Sequence, residues 1–149
     1  MENATLKLSA HYEPLTRLSN RSLSADRIQQ AVVKSLRNKK FVAIVFIDLV
    51  GFKIINNSQG HNVGDELLKK VAHQLKHVLR EAGTLSRIDR DEFVVVIGNL
   101  SAPGDSKSVV LRMLDSVSAT LVVQKKLLKI SVIIGITFYP LDSVSPDQC

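Results

Sequence analysis

The sequence predicts an α+β domain of ferredoxin-like βαββαβ order, with an extra helix on its N-terminal side. Three observations carry that prediction. A continuous apolar run rich in β-branched residues, Phe41 to Ile47, has the character of a buried strand. Apolar residues recur at helical spacing in three other segments, and Ile130, Val132, Ile134, Ile136 and Phe138 alternate as a half-buried strand does.

Taken in order, Ser24 to Leu36 places Ile28, Val32 and Leu36 on one stripe and predicts the first helix. The strand Phe41–Ile47, expected to be covered on both faces, leads directly to Asp48. Asn56-Asn57-Ser58-Gln59-Gly60-His61-Asn62 is dense in turn formers, and Asp65-Glu66 then stand where acids favour a helix N-terminus. That helix runs to about Arg80 with Leu68, Val71, Leu75, Val78 and Leu79 on its core face. Leu85–Ile88 and Phe93–Leu100 read as two strands joined by a charged turn. Ser101-Ala102-Pro103-Gly104-Asp105 is a loop, followed by a helix marked by Val110, Leu114, Val117 and Leu121. Pro140 ends the last strand. Omitting the first helix, the order is strand, helix, strand, strand, helix, strand, the split βαβ arrangement with helices on one face of the sheet.

At 149 residues the chain has the size of one domain, and 45% apolar content is ordinary for a globular core. The single cysteine, Cys149, excludes a disulfide framework and a cysteine-based metal site. A net charge of +6 suits an anionic partner. The excess is scattered over Arg37 to Lys40, Lys69-Lys70 and Lys125-Lys126, as on a solvated surface. Few aromatics are present to stack bases, so a nucleic-acid partner is not expected. No signal-peptide core opens the chain and Phe41–Ile47 is too short to span a bilayer, so the expectation is a cytoplasmic domain without direct membrane insertion.

Asp48 follows a buried strand and Asp91-Glu92 sit at a hairpin tip. In the split βαβ order these are neighbours, so three carboxylates are expected to converge at one edge. Such hard oxygen ligands suit Mg²⁺, which takes one or two carboxylates and completes its shell with water and substrate phosphates. His73 and His77, four apart on a helix, lack the glutamate and third ligand of a zinc motif and read as surface residues.

The residues around these acids resemble a known family. Pro14-Leu15-Thr16-Arg17-Leu18-Ser19-Asn20-Arg21 is similar to an opening D-x-L-T-G-L-P-N-R. Asp48-Leu49-Val50-Gly51-Phe52-Lys53-Ile54-Ile55-Asn56-Asn57, with Gly60-His61 and Gly64-Asp65 after it, is similar to D-x-D-x-F-K-x-I-N-D, G-H and G-D. Arg87-Ile88-Asp89-Arg90-Asp91-Glu92-Phe93 falls on R-x-G-G-D-E-F, and Ser131 to Pro140 resembles S-x-G-[IV]-x-x-[YF]-P. The chain thus resembles the GGDEF domain of diguanylate cyclases from residue 12 to residue 149, with residues 1–11 as an N-terminal extension. The fold implied is the palm of nucleotidyl cyclases.

The resemblance implies a reaction in which two GTP molecules, one on each of two facing domains, condense to cyclic di-GMP. It implies that Asp48, the Leu49 carbonyl and Glu92 hold Mg²⁺ or Mn²⁺, that Asp91 is the other catalytic acid beside Glu92, and that Asn56 and Asp65 hydrogen-bond guanine. It also implies a homodimer, or a neighbouring GGDEF or EAL phosphodiesterase domain, as partner.

Four departures bear on activity. Asp89 and Arg90 replace both signature glycines, and the second acid of D-x-D is Val50. The inhibitory R-x-x-D begins at Arg80 but has Gly83 in place of its aspartate. The family's last helix and strand are expected to be lacking after Pro140. Glycine positions in such turns often require positive φ, so Asp89 and Arg90 are expected to carry backbone strain of about 1–2 kcal/mol. The resulting expectation is a degenerate domain, regulatory or GTP-binding, with little or no cyclase activity; the competing reading is an active cyclase.

Overall fold

The computed structural model describes residues 10–118 and 121–140. Most of the N-terminal extension and everything after Pro140 lie outside the described residues, so the expectation of a lacking last helix and strand is not addressed there. Helix α1 spans Arg21–Asn38, starting where the Asn20 side chain accepts the Leu23 N–H (3.0 Å) and stopping at left-handed Lys39. Strand β1 (Phe41–Val50) is followed by α2 (Phe52–Gln59) and α3 (His61–Leu79). The hairpin of β2 (Thr84–Asp89) and β3 (Glu92–Leu100) comes next, then a 3₁₀ turn at Pro103–Ser106 and α4 (Lys107–Ser118). A small hairpin, β4 (Leu121–Val123) and β5 (Lys126–Leu128), precedes β6 (Ser131–Tyr139).

The main sheet has the order β2-β3-β1-β6, antiparallel throughout. The expected split βαβ order is therefore found, twice over: β3 lies between β1 and β2, and β1 lies between β3 and β6. Side-chain alternation gives the sheet two faces. Ala43, Val45, Ile47, Leu49, Phe93, Val95 and Ile97 meet Leu67, Leu68, Val71, Leu75 and Met113 of α3 and α4 in the large core. On the outer face Val42, Ile44, Val94 and Val96 form a smaller core beneath Ile28 and Ala31 of α1.

Three details differ from expectation, each for a physical reason. Asn56 to Gln59, expected as the start of a turn, close the helix Phe52–Gln59 instead, because Phe52 is fully buried and Ile55 packs on the core, which fixes one helical face. Gly60, at φ 95°, then breaks the chain direction, and α3 begins at once with His61. Second, Leu121 belongs to β4, not to the preceding helix; its side chain is buried at the base of a hairpin whose turn, Gln124-Lys125, contains no glycine. Third, β1 is covered on both faces only in its first half. It continues to Val50, and on the outer face Phe46 (46% exposed) and Val50 (43%) lie beyond the reach of α1. Among the described residues no helix is long and apolar enough to cross a membrane.

Candidate functional site

The acids are placed by the sheet. Asp48 lies inside β1 rather than after it, and its β3 partner in the antiparallel register is Glu92. Cross-strand partners hold their Cβ atoms about 4.5–5.5 Å apart, so the two half-exposed carboxylates belong to one short stretch of surface. A shallow cavity of about 220 Å³ adjoins them, lined also by Phe46, Ile88, Ile133 and Gly135. Phe93, fully buried one position on, fixes β3 to the large core.

Asp91 does not complete a three-carboxylate cluster. It is half of the two-residue Arg90-Asp91 turn, closed by the Asp89–Glu92 pair, and its carbonyl accepts the Leu49 N–H (3.0 Å). Among the described residues no three Asp, Glu, His or Cys side chains gather closely enough to share an ion. The donor set is therefore two carboxylates in register beside the Leu49 backbone. That set fits Mg²⁺, which needs no more than one or two carboxylates from the protein.

The signature turn is not strained as expected. No residue from Asp89 to Phe93 has positive φ. An irregularity in the β2–β3 register between Arg87 and Asp89 supplies the bend instead. The Asp89 carboxylate accepts the Arg90 N–H (2.8 Å), and the Arg87 guanidinium donates to the carbonyls of Asp89 (3.2 Å) and Arg90 (2.8 Å). These bonds satisfy the turn without left-handed residues. Arg90 is exposed, and pairs with neither Asp91 nor Glu92.

Arg87 also ties the turn to the start of the domain. Its Nη1 lies 2.9 Å from Glu13 Oε2, the one ion pair among the described residues. Glu13 accepts in addition from the N–H groups of Leu15 (3.1 Å) and Thr16 (2.7 Å) and from the Thr16 hydroxyl (2.6 Å). Partial burial pushes the Glu13 carboxyl up; the bonds from Thr16, Leu15 and Arg87 outweigh it, and its pKa lies below the ordinary value. Sequence reasoning gave no role to Glu13. Its signal is the spacing Glu13-Pro14-Leu15-Thr16, in which a carboxylate stands where the motif opening D-x-L-T has aspartate.

Asn56 and Asp65 lie either side of the α2–α3 junction. Asn56 is buried, and its Oδ1 has no hydrogen-bond partner. Gly64, in the first turns of α3, leaves the room it occupies, since a Cβ there would overlap that oxygen. Asp65 is exposed and sits fifth in its helix, so the expected place at the helix N-terminus is not found: two more residues of turn became helix before it.

Arg80 ends α3 at φ 49°, exposed. Gly83, standing where the inhibitory motif has aspartate, is pressed against the Val96 carbonyl so closely that any Cβ would overlap it. The departure is steric as well as chemical.

Residues 10–149 match the family model described as diguanylate cyclase, GGDEF domain. The bifunctional diguanylate cyclase/cyclic di-GMP phosphodiesterase MucR of Pseudomonas aeruginosa is 35% identical over 94% of this chain and 20% of its own length. Diguanylate cyclase TpbB of the same organism is 33% identical over 97% of this chain and 34% of its own. The chain thus spans between a fifth and about a third of these relatives. The solved GGDEF domain of TpbB superimposes with a TM-score of 0.83 at 30% identity, covering 87% of this chain and 76% of that one.

Proposed function

The chain belongs to the GGDEF domain family, and from that premise we propose that it is a regulatory, GTP-binding module of cyclic di-GMP signalling with little or no cyclase activity of its own. In this reading Asp48, Glu92 and the Leu49 carbonyl hold a divalent cation, Mg²⁺ or Mn²⁺. Bound there, the cation would neutralise phosphate charge. Asn56 and Asp65 contact guanine; the unpartnered Asn56 Oδ1 supports this, because a buried acceptor without a partner is costly unless a ligand supplies a donor. Asp91 is the second acid beside Glu92. The unit is residues 12–149, and its partner is a second copy or a GGDEF- or EAL-type domain.

The observation that carries the reading is the pair Asp89-Arg90, both exposed on the turn that adjoins Glu92. Glycines there leave open backbone; these side chains put a carboxylate and a bulky guanidinium in its place. A carboxylate about 4 Å from a phosphate charge opposes it by roughly 4 kcal/mol at an effective dielectric of 20, close to a thousandfold in affinity if nothing offsets it; the Arg90 guanidinium and a cation on Asp48 and Glu92 would offset part, leaving GTP bound but poorly placed for reaction. The test is the purified protein with GTP and Mg²⁺ or Mn²⁺. Metal-dependent GTP binding without measurable cyclic di-GMP is expected, and turnover normal for the family would overturn the reading.

A second reading, an active cyclase, is favoured by the retained Asp48–Glu92 register and by Asp91. The same assay decides between the two.

A further inference from the structure

The small β4–β5 hairpin makes three hydrogen bonds to the helices that carry Asn56 and Asp65. Lys126 Nζ donates to Gln59 Oε1 (2.7 Å), on the last residue of α2 and one turn beyond Asn56. Gln124 Nε2 donates to Glu66 Oε1 (3.1 Å), next to Asp65 on α3. Lys70 of α3 donates from Nζ to the Val122 carbonyl (2.7 Å). The hairpin is itself fixed from below, since Leu121, Val123 and Leu128 are buried in the large core. Its turn takes left-handed φ at both Gln124 (51°) and Lys125 (67°), which turns the tip back sharply at two non-glycine residues.

Helix α2 depends on such support. It has eight residues, is anchored by Phe52, and packs mainly against α3. Among the described residues, the one side-chain hydrogen bond it receives from another element is that of Lys126. Asn56 meanwhile has no slack: its Oδ1 lies where a Cβ on Gly64 would be, so a small shift of α2 against α3 re-aims its amide group.

We propose that the β4–β5 hairpin is a brace that sets α2 against α3, making Gln124 and Lys126 positioning residues for Asn56 and Asp65 in base selection. The part concerning base selection rests on the reading of Asn56 and Asp65 given above; the brace itself does not.

The test compares the wild-type chain with a Gln124→Ala/Lys126→Met double variant and with Lys125→Met, which alters the same turn without removing either bond. NMR of the free proteins follows the Asn56 side-chain amide and the exchange of the Gly60 N–H, which donates to the Asn56 carbonyl (3.0 Å). The double variant is expected to shift the Asn56 signal and to speed Gly60 exchange about fivefold, with Lys125→Met unchanged. With Mg²⁺ present, its preference for GTP over ATP is expected to fall about fivefold. Unmoved Asn56 and Gly60 signals in the double variant overturn the brace, whether or not nucleotide binds. Moved signals with an unaltered GTP/ATP preference overturn the positioning role. Moved signals in a protein that never distinguishes GTP from ATP support the brace and sink the base-reading assignment instead. Lys126→Met alone, a milder surface change, repeats the test should the double variant fold poorly.

Discussion

Glu13 gathers three local hydrogen bonds and the Arg87 ion pair, and all of them favour its charged form. Its pKa is lowered on folding from an ordinary 4.5, so it contributes stability that is present above that value and is lost as pH falls through the lower folded one. In urea titrations the gap between wild type and Glu13→Gln should be constant well above pH 4.5 and should narrow as the pH falls below it. A gap independent of pH would mean that the side chain acts by shape alone. Two glycines give predictions of a steric kind. Gly64→Ala drives a methyl group into Asn56 Oδ1 and should cost about 1–3 kcal/mol, read by thermal unfolding, while weakening any guanine binding. Gly83→Asp restores the letters of R-x-x-D yet should destabilise by a similar amount without creating an inhibitory site, because the Val96 carbonyl fills the space. At this scale the sequence exposes Asp48, Glu92 and Asn56 through motif spacing. It hides Glu13 and the tight fit at Gly64, because contacts such as Glu13 to Arg87 join positions far apart in the chain.

Among the elements, the signature hairpin shows how a turn composition can mislead. Positive φ at Asp89 or Arg90 would have made a return to glycine stabilising; the observed φ values make it the reverse. Asp89→Gly/Arg90→Gly should therefore lower stability by about 1–2 kcal/mol, the sum of two glycine costs, while raising GTP affinity. Urea midpoints and nucleotide titration on one preparation check both signs. The four strands of the main sheet and the three long helices follow from apolar period, which tertiary packing here reinforces. Helix α2 is masked by its polar end, Asn56 to Gln59, since Phe52 and Ile55 alone give too short a stripe to reveal a helix. The β4–β5 hairpin is masked because Gln124-Lys125 takes a backbone normally announced by asparagine and glycine.

For the molecule as a whole, the order β2-β3-β1-β6 follows from the order of elements alone, because the split βαβ connection leaves few alternatives. What does not follow is how far α1 reaches over the outer face, since its apolar pattern does not say which part of the sheet it packs on. The two cores should respond unequally. Leu75→Ala empties a wholly buried site between α3 and the sheet and should cost 2–5 kcal/mol by chemical denaturation. Phe46→Ala, on the half of the outer face that α1 does not cover, should cost well under half of that, since the side chain is already 46% exposed. That half-covered face has a directional consequence. The paired helices close one side of the sheet and α1 closes one end of the other, while Phe46, Val50 and Ile133 stay open around Asp48 and Glu92. Among the described residues the domain accordingly has a front and a back: the acid pair can be approached only from the outer face of the sheet, at the end that α1 leaves bare.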